Sequence, residues 1–460
     1  MKKILSLALV LLMLAGCLTG CVSSYTNIST EEKTEASAPA QEVKTEAAAP
    51  AEQAEAPVEE EPKEIDIKGV DLEVWYAVSG TSGEMFTKHS QEFSDEYGVN
   101  LNLSYSGGSS DTATKVSAAL LTDTQPDVAL MYAGPLYTGG NGDYSTGELM
   151  LGEDFNMDDI YEGMLDYCTY MGDGICAVPY GISTQVLFYN KDILAAAGVD
   201  MTNPPKTWSE FYDVCKTVLE KGNLTGNEEF SAFDTTDEAW LFKSMLMQNG
   251  CEIVENNDGK IVPIFNNAEA VAVADYWYSL VESGIMTPGQ HNNAENKFLS
   301  GNLAFVAASS NRVSRWTGTT SFELGAIEMP YFTRPSLALG GNVLVILTKD
   351  PVKKAAAWKY ICYLTGEEKD TEFALGTGYL PIHKSAMENE AVKTAIEGNE
   401  MYAVAFEQLK YTWAYTHFEQ MGTMDTQINS LLGKLEKGRG TAQELLDKGV
   451  SNLQKEIDEG

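Results

Sequence analysis

The sequence predicts an α/β body built on a mainly parallel sheet, and three observations carry that reading. From residue 70 onward, strand-like and helix-like segments alternate. The strand-like runs are short, apolar and closed by Gly-rich polar loops. The body also holds about 390 residues, enough for two lobes of ordinary domain size, and contains no internal repeat.

Leu72-Glu73-Val74-Trp75-Tyr76 alternates and is rich in β-formers, which predicts a strand. Gly80 to Gly83 reads as a polar loop, and Glu84 to Tyr97 as a helix. Val99 to Tyr105 alternates again. Gly107-Gly108-Ser109-Ser110-Asp111 breaks it, Thr112 to Leu121 forms an amphipathic helix, and Pro126 to Met131 is a short apolar strand. This order implies right-handed crossovers and a mainly parallel sheet. Ligands of such sheets bind beyond the carboxyl ends of strands, which nominates the loops after Trp75, Tyr105 and Met131.

A hairpin is expected around Gly172-Asp173-Gly174. Pro179 to Asn190 ends in an apolar strand and leads into a helix from Lys191 to Ala197. Pro204-Pro205 supplies a turn, and Thr207 or Ser209 an N-cap for the next helix. Helical, Gly-punctuated sequence continues through Trp240, Trp277 and Phe298 to Gly301, with Trp277 a packing residue. Gly325–Met329 and Val343–Leu347 read as strands. Val352 to Ala374 is helical, and the last eighty residues are mostly so.

The first residues carry an address. Met1-Lys2-Lys3 precedes an apolar run from Ile4 to Ala15, the pattern of an export signal and too short for a membrane-spanning helix, which needs about 20 apolar residues. Leu14-Ala15-Gly16-Cys17 and Leu18-Thr19-Gly20-Cys21 both resemble the lipobox of bacterial lipoproteins. Cys21 is the favoured lipidation site, because it allows a longer apolar core, with Cys17 the alternative. The signal would then be residues 1–20. Residues 21–68 are dominated by Thr, Glu, Ala and Pro, cannot bury enough apolar surface to offset ordering entropy, and read as a disordered acidic linker. The expected location is the outer face of the cell membrane, held by the lipid.

Net charge is −36. The linker's twelve carboxylates against four lysines give −8 and the leader's two lysines +2, so the body carries −30. That field repels nucleic acid and anionic lipid and excludes a DNA or RNA partner. Outside the export region stand Cys168, Cys176, Cys215, Cys251 and Cys362. The first two flank the expected hairpin, a spacing that allows a disulfide between them, and the rest read as small buried hydrophobes. No C-x-x-C or H-E-x-x-H motif occurs, so neither metal nor cofactor is expected. A rival reading, an exported polysaccharide hydrolase or lyase, has acid pairs such as Asp237-Glu238 but no G-x-S-x-G elbow. The chain is therefore read as no enzyme.

Four motifs, in order, resemble the extracellular solute-binding proteins that feed ABC importers, a group that includes the maltose- and glycerol-3-phosphate-binding proteins. They are Pro179–Asn190 with its YNKD at 189–192, NPPKTWSEF at 203–211, KFLSGNLAFVAASS at 297–310 and GTGYLP at 376–381. The resemblance covers essentially all of 70–455. It implies a periplasmic-binding-protein type II-like fold of two α/β lobes, hinged about an interlobe ligand cleft. The N-terminal lobe would comprise 69–179 and 330–377, and the C-terminal lobe 180–329 and 378–460. It further implies an ABC permease as partner and a monomeric chain capturing a small molecule. A binding lipoprotein that presents its ligand to a sensor would share this fold.

Site residues follow position by position. Ser183 resembles the family's crossover serine, Tyr379 its tyrosine, and Gly340-Gly341-Asn342 its close-approach backbone. Ser309 or Ser310, with Asn311 and Arg312, matches a ligand-contacting stretch. The departures matter as much. Ser109 stands where glycerol-3-phosphate proteins have tyrosine, Ala133 where they have glutamate, and Trp413 to Glu419 where they have a phosphate-binding arginine. A neutral carbohydrate is thus favoured over a glycerol phosphate or other polyol phosphate. Tyr76, Tyr132, Trp240, Trp413 and Tyr415 are the rings that could stack on a sugar, and His417 could reach the cleft.

Overall fold

The computed structural model describes residues 65–132, 152, 155–170, 174–224, 226–414 and 417–459. Cys17, Cys21, the linker to residue 64, Ala133, the turn residues 171–173 and Tyr415 lie outside the described residues. The strands are β1 (Asp71–Tyr76), β2 (Asn100–Tyr105), β3 (Val128–Met131), β4 (Thr169–Tyr170), β5 (Gly174–Ile175), β6 (Val178–Ser183), β7 (Gln185–Asn190) and β8 (Ser231–Thr235). They continue as β9 (Val254–Asn257), β10 (Lys260–Pro263), β11 (Leu303–Ser309), β12 (Leu324–Ile327), β13 (Leu337–Ala338), β14 (Gly340–Ile346) and β15 (Thr412–Trp413).

Two sheets organise the body. The first has the order β2-β1-β3-β14-β6, the second β12-β7-β11-β8. β1 runs parallel to β2 and β3, as the alternating pattern predicts. β14, however, is antiparallel to both β3 and β6, so one strand is reversed in a sheet whose other four run the same way. The reason is connectivity: β6 points the same way as the βαβ run, whereas β14 re-enters from the second sheet and runs against it. In the second sheet only β8 and β11 pair in parallel.

Strands β8 to β10 lie within sequence that reads as helical, and β11 follows directly after it without having been expected as a strand. β8 is buried along its whole length, and β11 from Leu303 to Ala308. A strand covered on both faces shows no two-residue alternation, so its periodicity gives no signal. The N-terminal signals are more legible. Asn190 accepts from the Asp192 and Ile193 amides to start the helix Lys191–Ala197, and Thr207 with Glu210 forms a capping box for Trp208–Lys221. The first helix begins at Gly80, four residues before the expected start, and the expected Val352–Ala374 helix is two helices, Pro351–Thr365 and Glu367–Thr377, separated at Gly366.

The chain passes from the first sheet to the second between β6 and β7, with Thr184 the only residue between them. It returns between β12 and β13–β14. A third segment, Gln408–Trp413, runs beside both passages. The Gln408 amide donates to the Gln185 carbonyl at 3.1 Å and its oxygen accepts from the Met329 N–H at 2.8 Å, joining the two passages through one fully buried side chain. A core cluster with Met131, Ile182 and Val343 from the first sheet and Val186, Phe188 and Val306 from the second continues through the junction. Cys168 and Cys176 are both buried thiols in that core, with Cys176 Sγ donating to the Cys168 carbonyl at 2.8 Å.

In the second lobe, His291 donates to Asp234 through Nδ1 and to Glu436 through Nε2 (2.9 Å). Trp277 Nε1 and the Gly289 amide also donate to Glu436, both at 2.9 Å. Trp277 is fully buried, a packing residue as predicted. Burial opposes the His291 charge more than any single partner favours it, but the two carboxylates together raise its pKa to about 10. A histidine whose folded pKa exceeds its unfolded value stabilises the fold fully below about pH 6.5 and loses that contribution as pH rises through its folded pKa. The melting temperature should therefore fall between pH 6.5 and 10, and His291→Gln should start lower and show a flatter decline, measured by calorimetry across that range.

Candidate functional site

Where the ends of both sheets meet, a cavity of about 250 Å³ opens between them. Tyr132 follows β3, Ser183 ends β6 and Ser309 ends β11, while β14, being antiparallel, contributes its first residues, Gly340 to Asn342. The rule that ligands sit beyond carboxyl ends thus holds for the parallel strands, and the reversed strand supplies its amino end instead.

Backbone constraints shape this wall. Gly341 has φ +120°, and a side chain there would collide with the Gly181 carbonyl, so only glycine fits the irregularity where β14 shifts register against β6. At Gly340 a Cβ would stand 2.8 Å from the Trp240 ring, so the missing side chain lets that indole lie against the strand. Trp240 Nε1 donates to the Ala338 carbonyl at 2.9 Å, leaving the ring oriented before any ligand arrives. Ser109 Oγ donates to Asn342 Oδ1 and fixes that buried amide. Tyr167 Oη donates to the Gly341 carbonyl at 3.2 Å from behind.

The charges in the cavity come from Asp237, Lys243 and Asp425. Lys243 is almost fully buried and donates to Asp425 at 2.6 Å. Burial is the largest influence on it and acts against its charge, but Asp425, Tyr132 and Asp237 together hold its pKa above the ordinary value. Asp237 caps the helix Glu238–Gln248 by accepting from the Trp240 amide. It opens to solvent within the cleft, yet the protein crowded around it raises its pKa, with the Trp240 N–H opposing. Behind the wall, His417 packs edge-on to Tyr167 at 4.9 Å and to Tyr132 at 6.5 Å. Burial first and Lys243 second lower its pKa to about 4, so it is neutral at pH 7.

Of the residues the sequence nominates, this cavity brings together Tyr132, Ser183, Trp240, Asn311, Gly341, Asn342 and Tyr379, with Ser309 and Gly340. Others lie elsewhere. Ser310 is fully buried, its amide donating to the Thr184 carbonyl at 2.8 Å. Arg312 turns away to Glu295 at 2.9 Å and donates to Asn311 Oδ1 at 2.7 Å, so it orients a cleft residue without lining the cleft. Tyr76 packs at a tilt against Phe86 and Tyr105 beside the first sheet. Trp413 is in β15, paired with Ala338 and packed on the second core. Asp237, Lys243 and Asp425 escaped sequence reasoning as ligand residues. Lys243 was within reach, since it lies three residues after Trp240 on one helix and shares its face. Asp425 has no local signal.

A second cavity, of about 330 Å³, adjoins the first through Asn311 and Tyr379. Ser79 to Ser82, at the start of the helix Gly80–Tyr97, form one side and Arg315 the other. That helix has no acidic residue in its first turn and no side-chain cap.

Residues 88–399 match the family described as bacterial extracellular solute-binding protein. The sn-glycerol-3-phosphate-binding periplasmic protein UgpB of Escherichia coli K12 is 27% identical over 289 residues, 59% of this chain and 65% of that protein, so the match spans just under two thirds of the relative's length. Among solved structures, the cyclic α-maltosyl-1,6-maltose binding protein of Arthrobacter globiformis superposes with a TM-score of 0.74 at 22% identity, covering 85% of this chain and all of that one. UgpB of Mycobacterium tuberculosis, solved with glycerophosphocholine, gives 0.70 at 22% identity, covering 85% and 98%. These likenesses establish the two-lobe α/β fold.

Removing Lys243 would leave Asp425 and Asp237 facing one another without a cation. Lys243→Met should lower stability by about 2 kcal/mol in urea unfolding, and the double variant with Asp425→Asn should recover most of that loss.

Proposed function

The chain belongs to the bacterial extracellular solute-binding protein family, and from that premise we propose that it captures a carbohydrate outside the cell and delivers it to an ABC importer. One observation carries the choice of ligand. The cavity between the sheets combines three rings, Tyr132, Trp240 and Tyr379, with hydroxyl and amide groups at Ser109, Ser183, Ser309, Asn311 and Asn342. Flat apolar faces suit the C–H surfaces of a sugar, and the polar rim suits its hydroxyls. Two carboxylates against one lysine disfavour an anion there, which agrees with the absence of a phosphate-binding arginine.

We take the lobes to be 69–179 with 330–377 and 180–329 with 378–460, the bounds the resemblance implies, while β6 keeps residues 180–183 with the first sheet and the chain crosses at Thr184. Ligand touching both sides stabilises the closed form, in which the protein docks on permease subunits. A lipid on Cys21, or alternatively Cys17, would hold this monomer at the outer face of the cell membrane, with the acidic linker giving it reach.

A second reading, a polyol phosphate, rests on the adjoining cavity. There the uncapped helix start at Gly80 and the Arg315 guanidinium present positive potential to a ligand reaching past Tyr379.

A thermal-shift series of mono-, di- and oligosaccharides beside glycerol 3-phosphate separates the two, because a bound ligand raises apparent stability. Neutral sugars are expected to give the shifts; a shift with glycerol 3-phosphate alone would decide for the second reading. With the best sugar, Ser183→Ala and Tyr379→Ala should each weaken binding about tenfold in calorimetry at unchanged melting temperature. Wild-type affinity in both would remove them from the site.

A further inference from the structure

The hairpin beside the cleft carries a feature that solute binding does not use. β4 and β5 pair antiparallel, with Thr169 opposite Ile175 and Tyr170 opposite Gly174. One step further out, the Cys176 amide donates to the Cys168 carbonyl at 2.9 Å, so these two cysteines also stand directly opposite one another. Cys168 caps the helix Glu162–Tyr167 and gives its own N–H to the Leu165 carbonyl, so a single ladder bond joins the two cysteines; one N–H···O=C contact keeps their Cα atoms within about 7 Å, at the upper end of the roughly 4.4–6.8 Å that a disulfide spans. Both side chains here are buried in the same core cluster, and the Cys176 sulfur already lies 2.8 Å from the Cys168 carbonyl oxygen. Cys215 and Cys251 belong to a different core, and Cys362 packs at a third.

We propose that Cys168 and Cys176 are a disulfide site, closed by oxidation after export. The family's extracellular setting supplies the compartment in which such bonds persist. The oxidant is a small-molecule or protein disulfide. One cysteine thiolate attacks it to form a mixed disulfide and expel a first thiol. The second cysteine then attacks the protein sulfur, expelling a second thiol and leaving the intramolecular S–S bond. The two electrons and two protons lost by the cysteines end on the two departing thiols. Exchange needs access to a thiolate, and both sulfurs are enclosed in the finished fold. The bond therefore forms while the hairpin is paired and the core is still open, and the folded reduced protein resists later oxidation. The bond ties down the strand that begins next to Tyr167, whose hydroxyl holds the Gly341 carbonyl of the cleft wall.

The test is refolding of the full chain from reduced denaturant, once in a reduced/oxidised glutathione buffer and once with dithiothreitol. Thiols are then trapped in denaturant and mapped by peptide mass. The glutathione product should be lighter by two hydrogen atoms, with Cys168 and Cys176 protected from alkylation and joined in one reducible peptide pair. It should melt about 3 °C above the reduced form, and Cys176→Ala should lose that difference. Native reduced protein incubated in the same buffer should remain fully alkylatable once denatured. Alkylation of both cysteines after oxidative refolding would overturn the assignment. So would a glutathione adduct on either, or pairing of either with another cysteine of the chain. None of these outcomes depends on which solute is bound, so failure here leaves the carbohydrate reading standing.

Discussion

Everything about this site depends on the single residue between β6 and β7. Two six-residue strands, buried along their lengths, lie in different sheets with only Thr184 to join them. No loop there can absorb displacement, so the lobes can move relative to one another only by torsion at that point and at the segments beside it. Those segments are not independent. Gln408 bonds the first passage to the second, and Ser244 accepts from the Ala338 amide while donating to Gln185 Oε1. The Thr184 carbonyl itself receives the Ser310 amide. Polar groups this deeply buried must keep their partners, so the three strands of chain turn together as one hinge.

The hinge also explains where chemistry could be placed. Ser183 is the last residue before Thr184, Gly340 and Gly341 pair with Ser183 and Ile182, and Ser309 to Asn311 lie beside the same point. A cavity built this close to the axis changes shape little as the lobes turn, while its outer residues travel further. The charge of the body does not reach into this argument. A net −30 governs what the surface repels over a Debye length, whereas in the cavity the balance is set by Lys243 against two carboxylates a few ångströms away.

The sequence made the outline legible and hid particular parts for physical reasons. Local signals survived: Thr207 caps the helix it should, and the strand–helix alternation of residues 71–131 gives the parallel half of the first sheet. Non-local facts did not. That β14 would run against β3 cannot be read from Val343–Leu347, because direction is decided by where the chain has been in between. β8 and β11 lacked periodicity because both their faces are covered. In the site, glycines and short polar residues were legible where the motif fixed them. Arg312 was not, since a long flexible side chain next to a site can turn either way, and Glu295 seventeen residues earlier takes it. Asp425 comes from a helix 182 residues beyond Lys243, and only the fold brings the two together.

Trp240 shows how the hinge and the ligand are coupled. Its indole N–H is held by Ala338 in the returning passage, its ring rests on Gly340 of the first sheet, and its helix, capped by Asp237, belongs to the second. One aromatic face is therefore placed by elements on both sides of Thr184 before a ligand is present. Ordering it on binding costs little rotamer entropy, so more of the contact energy is left to favour closure. A ligand shifts the balance of open and closed forms only by its difference in affinity for them. A ring already seated at the axis contributes similarly to both forms and serves as a platform. The difference must come from groups that meet the ligand only when the lobes turn inward, and the cavity offers candidates on both sides: Ser109 and Tyr132 after strands of the first sheet, Asp237 at the helix that follows β8 of the second.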